Sequence, residues 1–230
     1  MIDFHSHILP AIDDGSKNTE ESLDMLNSLK QQGVKRVLAT PHFYANDNSV
    51  DSFLARRQKS FDKLKLVLDG NYPEIVLGAE VRYYEGLSKL EKLEELCAQG
   101  TRLLLVEMPS GRWSQYALNE ILNLSSQRRF TLVLAHIERY MNYQAADVFE
   151  TLLANDVLMQ VNADFVTGLF TKQKAIKLFK NERIHFIGSD CHNMTTRPPE
   201  IKKAYELISK KIGKDFVADL IAYENNMFLL

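Results

Sequence analysis

The chain reads as an α/β protein built on one distorted (β/α)7 barrel, and three observations predict this. Short runs rich in Val, Ile and Leu alternate with longer amphipathic segments, as expected of parallel strands buried on both faces and covered by helices. The rhythm recurs along 230 residues, a length that α/β barrels routinely use for one domain. No linker rich in Pro, Gly or Ser interrupts it, so residues 1–230 are expected to form a single domain. An open doubly wound sheet is the alternative architecture.

Strands are expected at residues 2–5, 36–40, 74–79, 102–108, 131–136, 158–162 and 184–189. Helices are expected at 19–32, 52–68, 88–98, 115–128, 147–155, 171–180 and 199–211. In the first of these, Leu23, Leu26 and Leu29 form an apolar stripe and Gly33 supplies a stop.

Composition narrows the function. Hydrophobic residues make up 45% and charged residues 25%, enough to bury a large core. The 28 Lys and Arg nearly balance 30 Asp and Glu, so no global basic field favours nucleic acid. Two cysteines, Cys97 and Cys191, give no disulfide framework and point to a reducing cytoplasm. The apolar run at residues 1–4 meets His5 at once, leaving no room for a secretory leader, and no run approaches the roughly 20 residues that span a bilayer.

In a barrel, residues at the C-terminal strand ends converge on one cavity. His5, His7, His42, Glu80, Glu107, His136, Asp190 and His192 all fall at or just beyond such ends. His5-Ser6-His7 and Asp190-Cys191-His192 space two ligands by two residues, which in extended backbone points both to one side and turns Ser6 and Cys191 away. Imidazole mixed with carboxylate, without thiolate, suits Mn, Fe or Zn. Each residue has an ordinary reading as well. Glu80 and Glu107 could pair with Arg82 and Arg102, and His42 could belong to a turn opened by Pro41. Asp13 and Asp14 could form an Asx turn with Gly15. What favours a metal cluster is that five of the six histidines sit at strand ends, where independent structural roles would scatter them. His185 is the exception, with strand parity opposite to Asp190, and is assigned to packing or a local hydrogen bond.

With these residues in place, the sequence resembles the PHP (polymerase and histidinol phosphatase) superfamily, and more narrowly the manganese-dependent protein tyrosine phosphatases of bacterial capsule and exopolysaccharide synthesis. The motifs that carry the resemblance are Asp3-Phe4-His5-Ser6-His7, Asp13-Asp14-Gly15, Thr40-Pro41-His42, Gly78-Ala79-Glu80, His136-Ile137-Glu138-Arg139-Tyr140, Gln160-Val161-Asn162-Ala163 and Ser189-Asp190-Cys191-His192-Asn193. The resemblance implies three metals. His5, His7 and Asp190 would hold one, Glu107 and His136 a second with Glu80 bridging the two, and Asp14, His42 and His192 the third. The choice of Asp14 over Asp13 rests on the resemblance alone.

The expected activity is phosphomonoester hydrolysis with a metal-bridging hydroxide as nucleophile, two or three ions (Mn2+ first, Fe or Zn as alternatives) and no cysteine chemistry. Arg139 and Arg197 are expected to meet the phosphoryl group. Arg56 and Arg57 are read as a solvated helix face. Phe43, Tyr44, Tyr83 and Tyr84 offer an aromatic wall for a phenyl ring, although such residues more often pack loops. The resemblance implies a phosphotyrosine protein as substrate, the C-terminal tail of a bacterial tyrosine kinase. A histidinol-phosphate phosphatase would share every metal ligand, and a non-catalytic metal-binding regulatory module is the third reading.

Overall fold

The structure, a computed structural model, describes residues 1–229. Its strands are β1 (Ile2–Ser6), β2 (Arg36–Ala39), β3 (His42–Phe43), β4 (Glu74–Leu77), β5 (Glu80–Arg82), β6 (Leu103–Glu107), β7 (Thr131–Leu134), β8 (Leu158–Asn162) and β9 (Phe186–Gly188). All pair in parallel, in the orders β1-β2-β4 and β3-β5-β6-β7-β8-β9. The expected second strand is thus two, β2 and β3, interrupted at Pro41, which has no N–H to offer a ladder. The third is likewise split into β4 and β5 by Gly78-Ala79. A parallel bridge between Ser6 and Cys191 links the first strand to the segment after the last. There the Asp190 N–H donates to His5 O (2.7 Å) and the His7 N–H to Cys191 O (2.9 Å). The parallel sheet therefore curls into a barrel, and the open doubly wound alternative is not what forms.

The strands alternate between two apolar layers. Ile2, Phe4, Leu38, Val76, Leu103, Leu105, Val133 and Phe186 fill the barrel. Val37, Leu77, Leu104, Val106, Leu132, Leu134, Val161 and Ile187 face the helices. The side-chain period of two places one layer on each face, which is why both sets read as a continuous apolar run in sequence. The helices are α1 (Thr19–Gln31), α2 (Val50–Lys65), α3 (Gln115–Ser126), α4 (Ala146–Leu153), α5 (Ala163–Thr167), α6 (Lys172–Lys180), α7 (Lys202–Lys211) and α8 (Lys214–Asn226). Side chains of Asn18, Ser49 and Ser114 cap the starts of α1, α2 and α3.

Two expectations fail. Residues 88–98 form two short 3-10 turns, Leu87–Lys89 and Leu93–Leu96, instead of a helix. Their flanks Gly86 (φ 97) and Lys92 (φ 60) are left-handed, and buried Glu120 of α3 pins the segment by accepting from Gly86 N, Ser88 N and Ser88 Oγ at 2.8–3.1 Å. Tertiary hydrogen bonds override local propensity there. The second is that the expected helices omit α5 and also α8. The latter closes the lower end of the barrel, and Tyr223, Met227 and Phe228 pack on the inner layer.

Candidate metal centre

The site begins with an irregularity in β1. Asp3 pairs with Val37 but Ser6 with Ala39, so three residue steps oppose two. This bulge reverses parity after Phe4 and turns His5 and His7 into the upper cavity, although Ile2 and Phe4 already occupy the interior below. Between them Ser6 points away, its Oγ donating to Leu38 O at 2.7 Å, and Cys191 is fully buried with its thiol pushed up by burial. Two glycines allow the close approach. A Cβ on Gly15 would lie 2.3 Å from His7 O, and one on Gly188 2.5 Å from His5 Cβ.

All nine expected ligands come together. His5 Nε2 lies 3.2 Å from His7 Nε2, 3.1 Å from Glu80 Oε2 and 3.6 Å from Asp190 Oδ1. His7 Nε2 is 3.3 Å from the same Glu80 oxygen. His42 and His192 each present Nε2 to Asp14 Oδ1 at 3.4 Å, while His136 Nε2 lies 2.8 Å from Glu80 Oε1 and 3.7 Å from Glu107 Oε1. Four overlapping sets have ligand atoms within 4.8 Å of one another. They are His5, His7 and Asp190; His7, Asp14, His42 and His192; His5, Glu80 and His136; and His42, Glu80 and Glu107. The first matches one set implied by the resemblance, and the second contains another with His7 added. Glu107 joins His42 and Glu80 in the fourth set and also lies 3.7 Å from His136.

The ring orientations are fixed from behind. His5 Nδ1 faces Gln160 Oε1 (3.3 Å), His7 Nδ1 faces Asp13 Oδ2 (2.7 Å) and His192 Nδ1 faces the Asp190 carbonyl (3.0 Å). Each partner can only accept, so each Nδ1 carries a proton and each Nε2 is left facing the shared volume. His136 Nδ1 rests 3.2 Å from the Tyr140 hydroxyl. Asp13 also makes the expected Asx turn, accepting from Gly15 N at 3.0 Å, and receives His42 N at 3.0 Å. Sequence reasoning assigned no such role to Asp13, Gln160 or Tyr140. An acceptor near a histidine in space leaves no spacing signal when it lies 155 residues away, as Gln160 does from His5.

The donors fit a cation cluster. His42 Nδ1, Glu80 Oε2 and His192 Nε2 are buried and have no hydrogen-bond partner, although Glu80 Oε2 lies 3.0 Å from His42 Nδ1. Buried polar atoms crowded together without bonding one another are costly unless something else satisfies them. Imidazole and carboxylate together suit a borderline divalent ion. Electrostatics agrees. Burial opposes charge on Glu80, yet His5, His136 and His42 hold its carboxyl well below the usual range. Burial likewise opposes charge on His7, but hydrogen bonds to Asp13 and Glu80 outweigh it and raise the ring to about 10, so an incoming ion displaces a proton there.

Arg139 and Arg197 meet at one atom, Asp190 Oδ2, at 2.5 and 2.7 Å, and Asn162 Nδ2 donates to it at 2.8 Å. Asp190 Oδ1 faces the histidines, so this carboxylate joins the cluster to the two guanidiniums. Asp190 (φ 53) and His136 (φ 33) both take left-handed backbone, a strain that functional sites commonly hold. The arginine side chains are 44% and 39% exposed and line a polar cleft with Asn162, Ser189 and Thr196. An apolar cavity of about 290 Å³ lies elsewhere, between α4 and α6 behind Ile137, and contains none of the nine residues.

The remaining expected residues divide. Tyr44 is exposed and packs its ring 5.3 Å from that of His42. Phe43 is buried against Phe53, and Tyr83 donates its hydroxyl to Glu120 at 2.9 Å, so neither faces the cleft. Arg57 does not lie on a solvated face: it is buried and donates to Gly78 O at 2.7 Å. Glu107 pairs with Arg82 at 2.7 Å instead of Arg102. His185 accepts from Met159 N at 3.1 Å and is held near 4 by burial, away from the cluster.

A family model for capsular polysaccharide synthesis, CpsB/CapC, matches residues 1–230. The chain belongs to the CpsB/CapC family. Tyrosine-protein phosphatase CpsB of Streptococcus pneumoniae is 33% identical over 232 residues, covering 93% of this chain and 91% of that protein. Tyrosine-protein phosphatase YwqE of Bacillus subtilis is 30% identical over 222 residues, covering 94% and 86%. Crystallographic work on YwqE and CpsB, described as unique metal-dependent tyrosine phosphatases, supplies a matching structure with TM-score 0.82 at 28% identity, covering 100% of this chain and 94% of that one. Among the described residues no helix is long and apolar enough to cross a membrane.

Proposed function

We propose that this CpsB/CapC chain is a metal-dependent tyrosine-protein phosphatase, acting in the cytoplasm on the phosphorylated tail of a bacterial tyrosine kinase that governs capsule or exopolysaccharide synthesis, with residues 1–230 as one catalytic domain. The observation that carries this reading is the convergence of nine nitrogen and oxygen donors beside two arginines that share Asp190, in a chain whose relatives bear that activity in their names.

His5, His7, Asp14, His42, Glu80, Glu107, His136, Asp190 and His192 hold two or three divalent ions, Mn2+ first, with Fe or Zn as alternatives. Bound there, the ions supply Lewis-acid polarisation of the phosphoryl group and acidify water toward neutrality. Arg139 and Arg197, fixed by Asp190, neutralise the phosphoryl oxygens as negative charge shifts among them. The exposed Tyr44 ring gives the substrate phenyl group a flat surface beside His42. A phenol of pKa about 10 leaves without a dedicated acid. That matches the lack of a spare histidine, because five surround the cluster and His185 is committed to Met159.

The test is hydrolysis of phosphotyrosine peptides after chelation and re-addition of Mn2+, Fe2+ or Zn2+, against phosphoserine peptides and histidinol phosphate. Activity should vanish with chelator and return best with Mn2+ on phosphotyrosine. A wide preference for histidinol phosphate would replace the substrate assignment, and silence with every ion would favour the regulatory module.

A further inference from the structure

The loop that brings Asp13 and Asp14 to the cluster has a second face. Ala11, between buried Pro10 and half-buried Ile12, is exposed and, at φ 54, is held in left-handed backbone while its N–H donates to Ser16 O at 2.7 Å. Ser60 of α2 fastens this stretch by donating to Pro10 O at 2.7 Å. Between the loop and α2 lies a groove of about 190 Å³, lined by Pro10, Ala11, Ile12 and Ser60 and by three cations, Arg56, Lys59 and Lys63. The three stand at i, i+3 and i+7, on one face of the helix. All are exposed, none makes a salt bridge among the described residues, and no acidic residue lines the groove. Arg57, their neighbour in sequence, points inward to Gly78 and takes no part.

A solvated helix face ordinarily mixes signs, with partners three or four residues apart. Here three like charges share one concave surface and repel one another until an anion arrives. We infer that this groove is an anion subsite for the substrate protein. It receives carboxylate or phosphate side chains flanking the phosphotyrosine while the ester bond lies in the Arg139 and Arg197 cleft. The inference deepens the phosphatase reading and rests on it for the identity of the occupant. The position favours a peptide over a lipid surface, because one loop forms both the wall of the groove and part of the metal cluster. A chain crossing that rim meets both sites.

The experiment measures binding separately from turnover. Fluorescein-labelled peptides carrying a non-hydrolysable difluorophosphonate analogue of phosphotyrosine are titrated into the Mn2+-loaded protein by anisotropy. Their flanks are neutral, aspartate-rich or carry a second phosphotyrosine. Both anionic flanks should tighten binding about tenfold at low salt, an advantage eroded at high ionic strength as for any exposed charge contact. In the Arg56→Ala, Lys59→Ala, Lys63→Ala triple variant the flank advantage should disappear, with neutral-peptide affinity and p-nitrophenyl phosphate turnover unchanged. A gain on only one flank type identifies carboxylate or phosphate as the ligand. An equal flank advantage in wild type and variant overturns the subsite. So does a triple variant that loses only its binding to phosphatidylserine vesicles, which reassigns the groove to a membrane. Peptides that bind with the predicted flank dependence but whose hydrolysable forms are not turned over would leave the subsite standing and sink the phosphatase reading.

Discussion

The two ends of the barrel share the same strands and satisfy their side chains in opposite ways. At the lower end Phe4 stacks on Phe186 at 4.2 Å, Tyr223 of α8 stacks on Phe186 at 5.9 Å, and Arg36 lies 4.1 Å from the Phe228 ring. Buried Glu224 accepts there from the Tyr205 hydroxyl through one carboxylate oxygen, while the other has no partner. At the upper end, one bulge and two left-handed residues aim nine donor groups at one another and leave three buried polar atoms without hydrogen bonds. Stability and chemistry are thereby separated along the barrel axis, as α/β barrels generally arrange them. The strained rim survives because the packing beneath it does not depend on it.

Exchanging the sites of damage gives the largest expected effect. His136→Ala should lower turnover of an aryl phosphate by on the order of a thousandfold, about 4 kcal/mol in barrier, while the chelated protein melts within a few degrees of wild type. Phe186→Ala should do the reverse, removing about 3–5 kcal/mol of stability while its folded fraction keeps near-normal turnover. Thermal melts, metal analysis and kcat on both variants decide it. A His136→Ala protein that fails to fold would show that the two ends are not independent.

Next come the arginines, which belong to the rim without being candidate ligands. Arg139→Ala and Arg197→Ala should each reduce kcat/KM by roughly 10²–10³ with bound metal unchanged, and Lys at either position should rescue only in part because it lacks the planar fork. Loss of metal in these variants would mean that they act chiefly by holding Asp190.

Gln160→Leu sharpens the comparison within the rim itself. It removes the acceptor for His5 Nδ1 and for His136 N while sparing every donor group. Metal affinity measured by calorimetry should weaken by about 10–100-fold. An unchanged affinity would show that packing alone orients the His5 ring.

The smallest effect belongs to the lower end. Burial raises Glu224 to about 8 against an ordinary value of 4.5. Its folded pKa lies above the unfolded one, so its contribution is complete below about pH 4.5 and is lost as pH rises through 8. Urea titrations from pH 5 to 8.5 should show wild type losing stability relative to Glu224→Gln across that window. Parallel curves would mean that Glu224 stays ionised in the fold.

Much of the rim was legible because strand ends can be read from apolar runs, and the fold carries strand ends to one place. His5, His7, His42, Glu80, Glu107, His136, Asp190 and His192 were legible from strand-end position alone. Asp14 was not, since nothing local separates it from Asp13, and the structure gives the two different tasks. Asp13 turns inward to His7 Nδ1, while Asp14, 66% exposed, faces His42 and His192. The helix expected at 88–98 failed because its fate depends on Glu120, which approaches from α3. Tyr83 left the expected aromatic wall for the same reason.

By itself, then, the sequence determined the βα rhythm, the residues at the strand ends and the ligand chemistry they can support, because periodicity of side-chain character and the order of chemical groups are local properties of a chain. Only tertiary structure decided which ring nitrogen carries the proton, that a bulge reverses parity after Phe4, that Gly15 and Gly188 must lack a Cβ, and that α8 closes the lower end. Each of these follows from atoms tens to hundreds of residues apart meeting at contact distance, where hydrogen-bond direction and excluded volume take over from pattern.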